Sequence, residues 1–180
     1  AAVVQTNLVR LIAYSSVAQS GYFLMGIVAL GVSPLAVPGV IIMAAAYVAM
    51  NLGAFAIVLV VGRHLDDIRG FGRTHPIAGV AMVVFLLSLT GIPPLFGFVG
   101  KVYLFGAAIE AGYLWLAIIG ILNSVLALGV YLRIVVPMYQ AVPEDVAGFR
   151  NSLHPALIAV IGMTSVVTLG MGLLAGLFPG

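Results

Sequence analysis

Lys101 is the only lysine in 180 residues, and it closes the run "LSLTGIPPLFGFVGK". Pro93 and Pro94 stand just before it, with Gly91 and Gly97 on either side of them. A proline inside a helix lacks a backbone donor and clashes with the carbonyl four residues back. Pro93 and Pro94 therefore release the carbonyls of Leu89 and Thr90, and Ile92, preceding proline, is pushed out of α geometry. The pattern predicts two half-helices, about 77–90 and 99–111, joined by an extended linker across 91–98. Lys101 would then lie near the start of the second half-helix, at the positive end of its dipole. Burial also disfavours the ammonium form. The chemistry such a lysine can do is to take up and release a proton, and an ionisable group inside a membrane is a functional candidate by default. The competing reading is a plain proline kink, with Lys101 snorkelling to a headgroup. The apolar stretches "PPLFGFVG" before it and "VYLFGAAI" after it leave no interface close by.

Other polar side chains sit in apolar surroundings. Ser15, Gln19 and Tyr22 share one helix face at i, i+4 and i+7, and Ser16 and Ser20 share a neighbouring one. Two roles fit: a stripe that holds water, or polar glue between membrane helices. Glue is favoured for the serines, and Gln19 is open. Asn51, with Tyr47 one turn earlier, and the pair Asn123–Ser124 fall mid-segment, where glue is again the leading role. Thr90, beside the break, can offer its hydroxyl to freed backbone. Gln19, Asn51, Thr90 and Asn123 make up the candidate polar axis around Lys101.

Most other chemistries lack their residues. There is no cysteine, which rules out disulfides and cysteine-ligated zinc or iron–sulfur sites. His64, His75 and His154 form no ligand cluster, and no phosphate loop, nucleophile triad or redox-centre ligand set is present.

The elements that must hold Lys101 follow from composition. The chain is 63% hydrophobic and 7% charged, with a mean hydropathy of +1.27. A soluble domain carries about a quarter charged residues, so this is an integral membrane protein, read as one all-α membrane domain over 1–180. Five apolar segments stand out: A, Leu8–Gly31; B, Gly39–Gly62; C, Pro76–Gly112; D, Tyr113–Gln140; and E, Leu153–Phe178. The short alternating segments of a β-barrel are not seen. A span needs roughly 20 apolar residues, which suits A, B, D and E. Segment C is too long for one straight crossing, so it is either two spans or one span with a break.

Charge decides between them. Arg10 precedes A, Arg63, Arg69 and Arg73 lie between B and C, Arg133 lies late in D, and Arg150 lies between D and E. If C crosses once, all the arginines fall on one side, cytoplasmic by the positive-inside rule, with the C-terminus outside. Arg133 then reads as an interfacial anchor, and Glu110 as interfacial on the other side. The opening "AAVVQTNLVR" lacks the pattern of a cleavable signal peptide. It reads as the tail of an earlier segment.

Three stretches resemble a known family. "QTNLVRLIAYSSVAQSGYFLMG" is similar to the antiporter-like subunits of proton-translocating NADH:quinone oxidoreductase (respiratory complex I), which usually read N-L-K-R-x-L-A-Y-S-S at that point. "FLLSLTGIPPLFGFVGKVYLF" resembles their interrupted helix, and "HPIAGVAMVVFLLSLTGIPP" leans toward the subunit N (subunit 2) branch. The resemblance implies an inverted-repeat fold in which A to E are the tenth through fourteenth helices, the C-terminal part of the subunit, and hold most of the second repeat. It implies that Lys101 is the proton-transferring lysine of the interrupted helix. It further implies no cofactor in this chain, with NADH, FMN, iron–sulfur clusters and quinone handled elsewhere in the complex. The implied partners are other membrane subunits and the lipid of a cell (inner) membrane, with no nucleic acid. Val9 departs from a common lysine, and Gln19 stands where many relatives have a histidine. Glutamine can only orient water. The rival is a subunit of a multisubunit sodium/proton antiporter.

Overall fold

The sequence signals that start and stop helices act where they fall. Asn7 caps the first long helix, its side chain accepting from Arg10 N at 3.0 Å. Pro76 opens another, in the first-turn position that suits a residue without an N–H. In a computed structural model of the protein, which describes residues 2–141 and 154–177, segment A is α1 (Leu8–Val28) and segment B is α2 (Ala36–Val61). A one-turn helix, α3 (Phe71–Thr74), lies in the B–C link. Segment C is the pair α4 (Pro76–Thr90) and α5 (Phe96–Glu110), segment D is α6 (Leu114–Met138) and segment E is α7 (Pro155–Leu177). Arg150 and the last residues of segment E lie outside the described residues.

α1, α2, α6 and α7 are each long and apolar enough to cross a membrane. α4 and α5 have 15 residues apiece, about 22 Å of helix. Neither reaches across a hydrocarbon core of about 30 Å. In tandem their combined length would suit one further crossing, interrupted in the middle. The two ends of the bundle are held by different contacts. At one end Leu8 N donates to Arg63 O, Leu65 N to Thr6 O, and Gly70 N to Pro137 O. Arg73 and Arg133 bind backbone there too, on Tyr139 O and on Val3 O and Gln5 O. At the other end the Ser33 hydroxyl of the α1–α2 link donates to the Glu110 carboxylate at the end of α5.

α2 runs through the centre and touches α1, α4, α5 and α7, while α6 packs on α1, α4 and α5. Met43, Met50, Ile57, Met82, Phe85, Leu86 and Leu89 fill the core. The outer faces of α6 and α7 are also apolar, with Leu122, Val125, Leu126, Met163 and Val166 exposed. That pattern suits hydrocarbon rather than water.

The break is tighter than the sequence suggests. It occupies only residues 91–95, and the expected extended linker is a compact turn. The second half-helix starts at Phe96, three residues before the expected 99. The reason lies in α4. The Ser88 hydroxyl accepts from Gly97 N at 3.0 Å and so satisfies one of the free N–H groups that open α5. Lys101 consequently sits in the second turn of α5 rather than at its start.

Candidate functional site

α4 ends in a Schellman motif. Gly91 takes a left-handed conformation at φ +90, its N–H reaches Ser88 O at 3.0 Å, and Ile92 N reaches Leu87 O at 3.1 Å. That motif uses the carbonyls of Leu87 and Ser88 and leaves those of Leu89 and Thr90 over. In an unbroken helix these two would accept from residues 93 and 94, which are prolines without an N–H. The Pro93–Pro94 peptide is cis. Gly97 is required for contact: a Cβ there would lie 2.1 Å from Ser88 O.

Lys101 takes both leftover carbonyls. Its Nζ donates to Leu89 O at 3.0 Å and to Thr90 O at 2.8 Å. A third donation goes to Ser124 Oγ on α6 at 3.0 Å, and the Tyr22 ring of α1 lies 4.2 Å below the ammonium. The lysine is 2% exposed. Among the described residues it has no carboxylate partner, so neutral oxygens and one aromatic face carry its charge. This reverses one expectation. Lys101 does not confront the positive start of α5; it faces the carbonyl end of α4, the helix end that attracts cations.

Tyr22 joins the helices around it. Its hydroxyl donates to Gly120 O at 2.9 Å, shares a 2.9 Å hydrogen bond with Ser124 Oγ, and accepts from Asn123 Nδ2 at 3.1 Å. Gln19 Nε2 donates to Leu89 O at 3.0 Å, so Gln19 and Lys101 share one carbonyl. Gln19 Oε1 is buried without a hydrogen-bond partner among the described residues. Ser15 is hydrogen-bonded to the Tyr131 hydroxyl. Ser15, Gln19, Tyr22, Asn123 and Tyr131 line a cavity of about 340 Å³ between α1 and α6, whose far wall includes Ala2 and Val3.

Of the residues singled out in sequence, Gly91, Pro93 and Pro94 form the break, Gly97 adjoins it in the first turn of α5, and Lys101 spans it. Gln19 and Asn123 reach its surroundings through Leu89 O and Tyr22. Thr90 contributes its carbonyl, while its hydroxyl turns back to Leu86 O at 2.9 Å. Asn51 is half-buried on α2 and makes no hydrogen bond to a described residue. Among the described residues, Ser16 and Ser20 do not bond to another helix. They donate to Ile12 O and Ser16 O within their own helix, at 3.2 and 3.1 Å. Ser88 was passed over, and Tyr22 and Ser124, named as polar positions, were not assigned to Lys101. Ser88 caps α5, and Ser124 and Tyr22 touch Lys101. Their signal in sequence was polarity at apolar positions, which does not say which neighbour each one meets.

Fold and site define a membrane-spanning helix bundle built around a broken helix, with a buried cation across the break. Residues 1–127 match the family described as NADH:quinone oxidoreductase/Mrp antiporter, TM. The chain belongs to that family. It is 43% identical to NADH-quinone oxidoreductase subunit N of Bdellovibrio bacteriovorus, over 98% of this chain and 38% of the relative. It is also 43% identical to the subunit N of Paramagnetospirillum magneticum, over 97% and 36%. Among solved structures it resembles a chain of respiratory complex I from Thermus thermophilus with bound aureothin. The TM-score there is 0.84 and the identity 31%, over 98% of this chain and 40% of that one. A chain of the Mrp complex from a Dietzia species superimposes with TM-score 0.80 at 25% identity, over 98% and 41%. The chain thus spans little more than a third of the length of the curated relatives it matches.

Proposed function

We propose that the protein acts in a proton-translocating membrane subunit of an NADH:quinone oxidoreductase, with Lys101 as the group that takes up and releases the proton. The observation that carries this reading is the seat of the amine: two carbonyls freed by a double proline, a hydroxyl and a ring face, with no carboxylate among the described residues. Each hydrogen bond from a charged donor contributes roughly 1.5–3 kcal/mol, and a desolvated cation–π contact about 2 kcal/mol. Moving an ammonium out of water costs several kcal/mol. With neutral acceptors and no carboxylate among the described residues, the balance between amine and ammonium responds to charge and water nearby.

NADH, FMN, iron–sulfur clusters and quinone belong in this reading to other subunits, and this chain holds none of them. Its partners are other membrane subunits and lipid. The arginine-bearing end faces the cytoplasm and the C-terminus the outer side of a cell (inner) membrane. Gln19 and Asn123 belong to the polar axis that hydrates Lys101, whereas Asn51 lacks a contact that would put it there.

The likeness to the Mrp chain favours one alternative, a multisubunit sodium/proton antiporter. The relatives at 43% identity, all named subunit N, favour the first. The test is Lys101→Ala in the full-length chain within its assembled complex. Proton translocation into proteoliposomes driven by NADH oxidation should collapse while the subunits still copurify. Wild-type translocation in the assembled variant would sink the proposal. Copurification without flavin and iron–sulfur subunits would favour the antiporter.

A further inference from the structure

Lys101 does not line the cavity between α1 and α6, and neither does Ser124. Tyr22 and Asn123 do. The amine meets Ser124 Oγ at 3.0 Å, and Ser124 Oγ meets Tyr22 Oη at 2.9 Å. A hydroxyl can donate and accept at once, because its proton rotates to suit. These two hydroxyls are thus a continuous hydrogen-bonded connection from the buried amine to the wall of the cavity. The cavity is roomy enough for water, which needs two to four polar partners. Tyr22, Asn123, Ser15 and Tyr131 supply such partners, and Gln19 adds a buried acceptor, Oε1, that lacks a donor among the described residues.

We infer that Ser124 and Tyr22 form a two-hydroxyl relay that carries the proton between Lys101 and water in the α1–α6 cavity. The inference rests on the proton-transfer reading of Lys101 and adds a route and two reacting groups to it. In the outward step a Lys101 N–H bond breaks and an O–H bond forms on Ser124. The original Ser124 proton moves to Tyr22 Oη, and the Tyr22 proton, which rests on Gly120 O, turns from that carbonyl to a cavity water and leaves with it. Ammonium and water become amine and hydronium. Both hydroxyls are regenerated with their hydrogen bonds reversed, and the return step restores them. Asn123 Nδ2, donating to Tyr22 Oη, holds the phenol in line without itself exchanging a proton.

The test uses the full-length chain in its assembled complex in proteoliposomes, with translocation expressed per assembled complex. Tyr22→Phe keeps the ring under the ammonium and deletes only the hydroxyl. Ser124→Ala deletes the other, and Ser124→Thr keeps it. The relay predicts that Tyr22→Phe and Ser124→Ala both fall to the level of Lys101→Ala while Ser124→Thr stays near wild type. Either deletion variant translocating at the wild-type rate, with Lys101→Ala low, overturns the relay and leaves the reading of Lys101 intact. Lys101→Ala at the wild-type rate overturns the reading itself. Should Ser124→Ala fail to assemble, Tyr22→Phe decides.

Discussion

Among the described residues, two cations each rest on a pair of backbone carbonyls. Lys101 binds Leu89 O and Thr90 O in the interior, and Arg133 binds Val3 O and Gln5 O at the arginine-bearing end of the bundle. In both, backbone carbonyl oxygens receive the charge. The difference lies in the head group and in what adjoins it. A guanidinium keeps its proton under all ordinary conditions and holds a rigid fork, so Arg133 can only pin the chain before α1 to α6. An ammonium is a compact charge that can be lost, and Lys101 also touches a hydroxyl that leads to a cavity. The same contact is an anchor in one place and a switchable site in the other.

The sharpest way to break that comparison is to exchange the head groups. Lys101→Arg keeps a positive charge at the break but removes the ability to release it. Proton translocation should be lost as fully as in Lys101→Ala, measured per assembled complex. Translocation that survives would mean charge, not proton transfer, is what the site supplies.

A smaller but still large effect belongs to the break. Gly97→Ala puts a Cβ 2.1 Å from the backbone oxygen of Ser88. Since backbone must move, destabilisation of at least about 1–3 kcal/mol is expected. The measure is thermal stability of the purified complex. Next comes Gly172 of α7, where a Cβ would meet Pro94 O at 2.2 Å and Phe96 N at 2.7 Å, so that α7 backs the break directly. Gly170 has open space around its Cβ position. Gly172→Ala should therefore lower both stability and translocation, while Gly170→Ala leaves both at wild type. Equal behaviour of the pair would dismiss α7 as a support.

Ser88→Ala removes one cap from α5 and should cost about 1 kcal/mol, seen as a small drop in melting temperature. Arg133→Lys is the mildest, trading a two-pronged contact for a point charge. It should leave translocation unchanged and cost under about 1 kcal/mol in stability. A pumping defect in Arg133→Lys would erase the contrast drawn between the two cations.

Local rules carried much of this structure. The gap in α4–α5 was legible because Pro93 and Pro94 lack donors wherever they are placed, and the two carbonyls they free can be counted from sequence. The shape of the gap was not legible, because it depends on Ser88 reaching across to Gly97. The sign of the helix field at Lys101 was misjudged for a related reason. Sequence position placed the lysine near the start of α5, but a lysine side chain is long enough to leave its own helix and reach the carbonyl end of α4. Ser16 and Ser20 resembled Ser15 in sequence, yet of the three only Ser15 bonds to another helix among the described residues.

The sequence by itself determined a membrane bundle, an interrupted crossing and a lone lysine beside the interruption, since composition, proline and charge act through solvent and backbone and need no partner. Tertiary structure decided which oxygens receive the ammonium, that Ser124 and Tyr22 link it to a cavity, and that Gly172 backs the break. Those outcomes are contacts between residues up to 102 positions apart, set by how helices cross. No local pattern encodes a distance between two side chains on different helices.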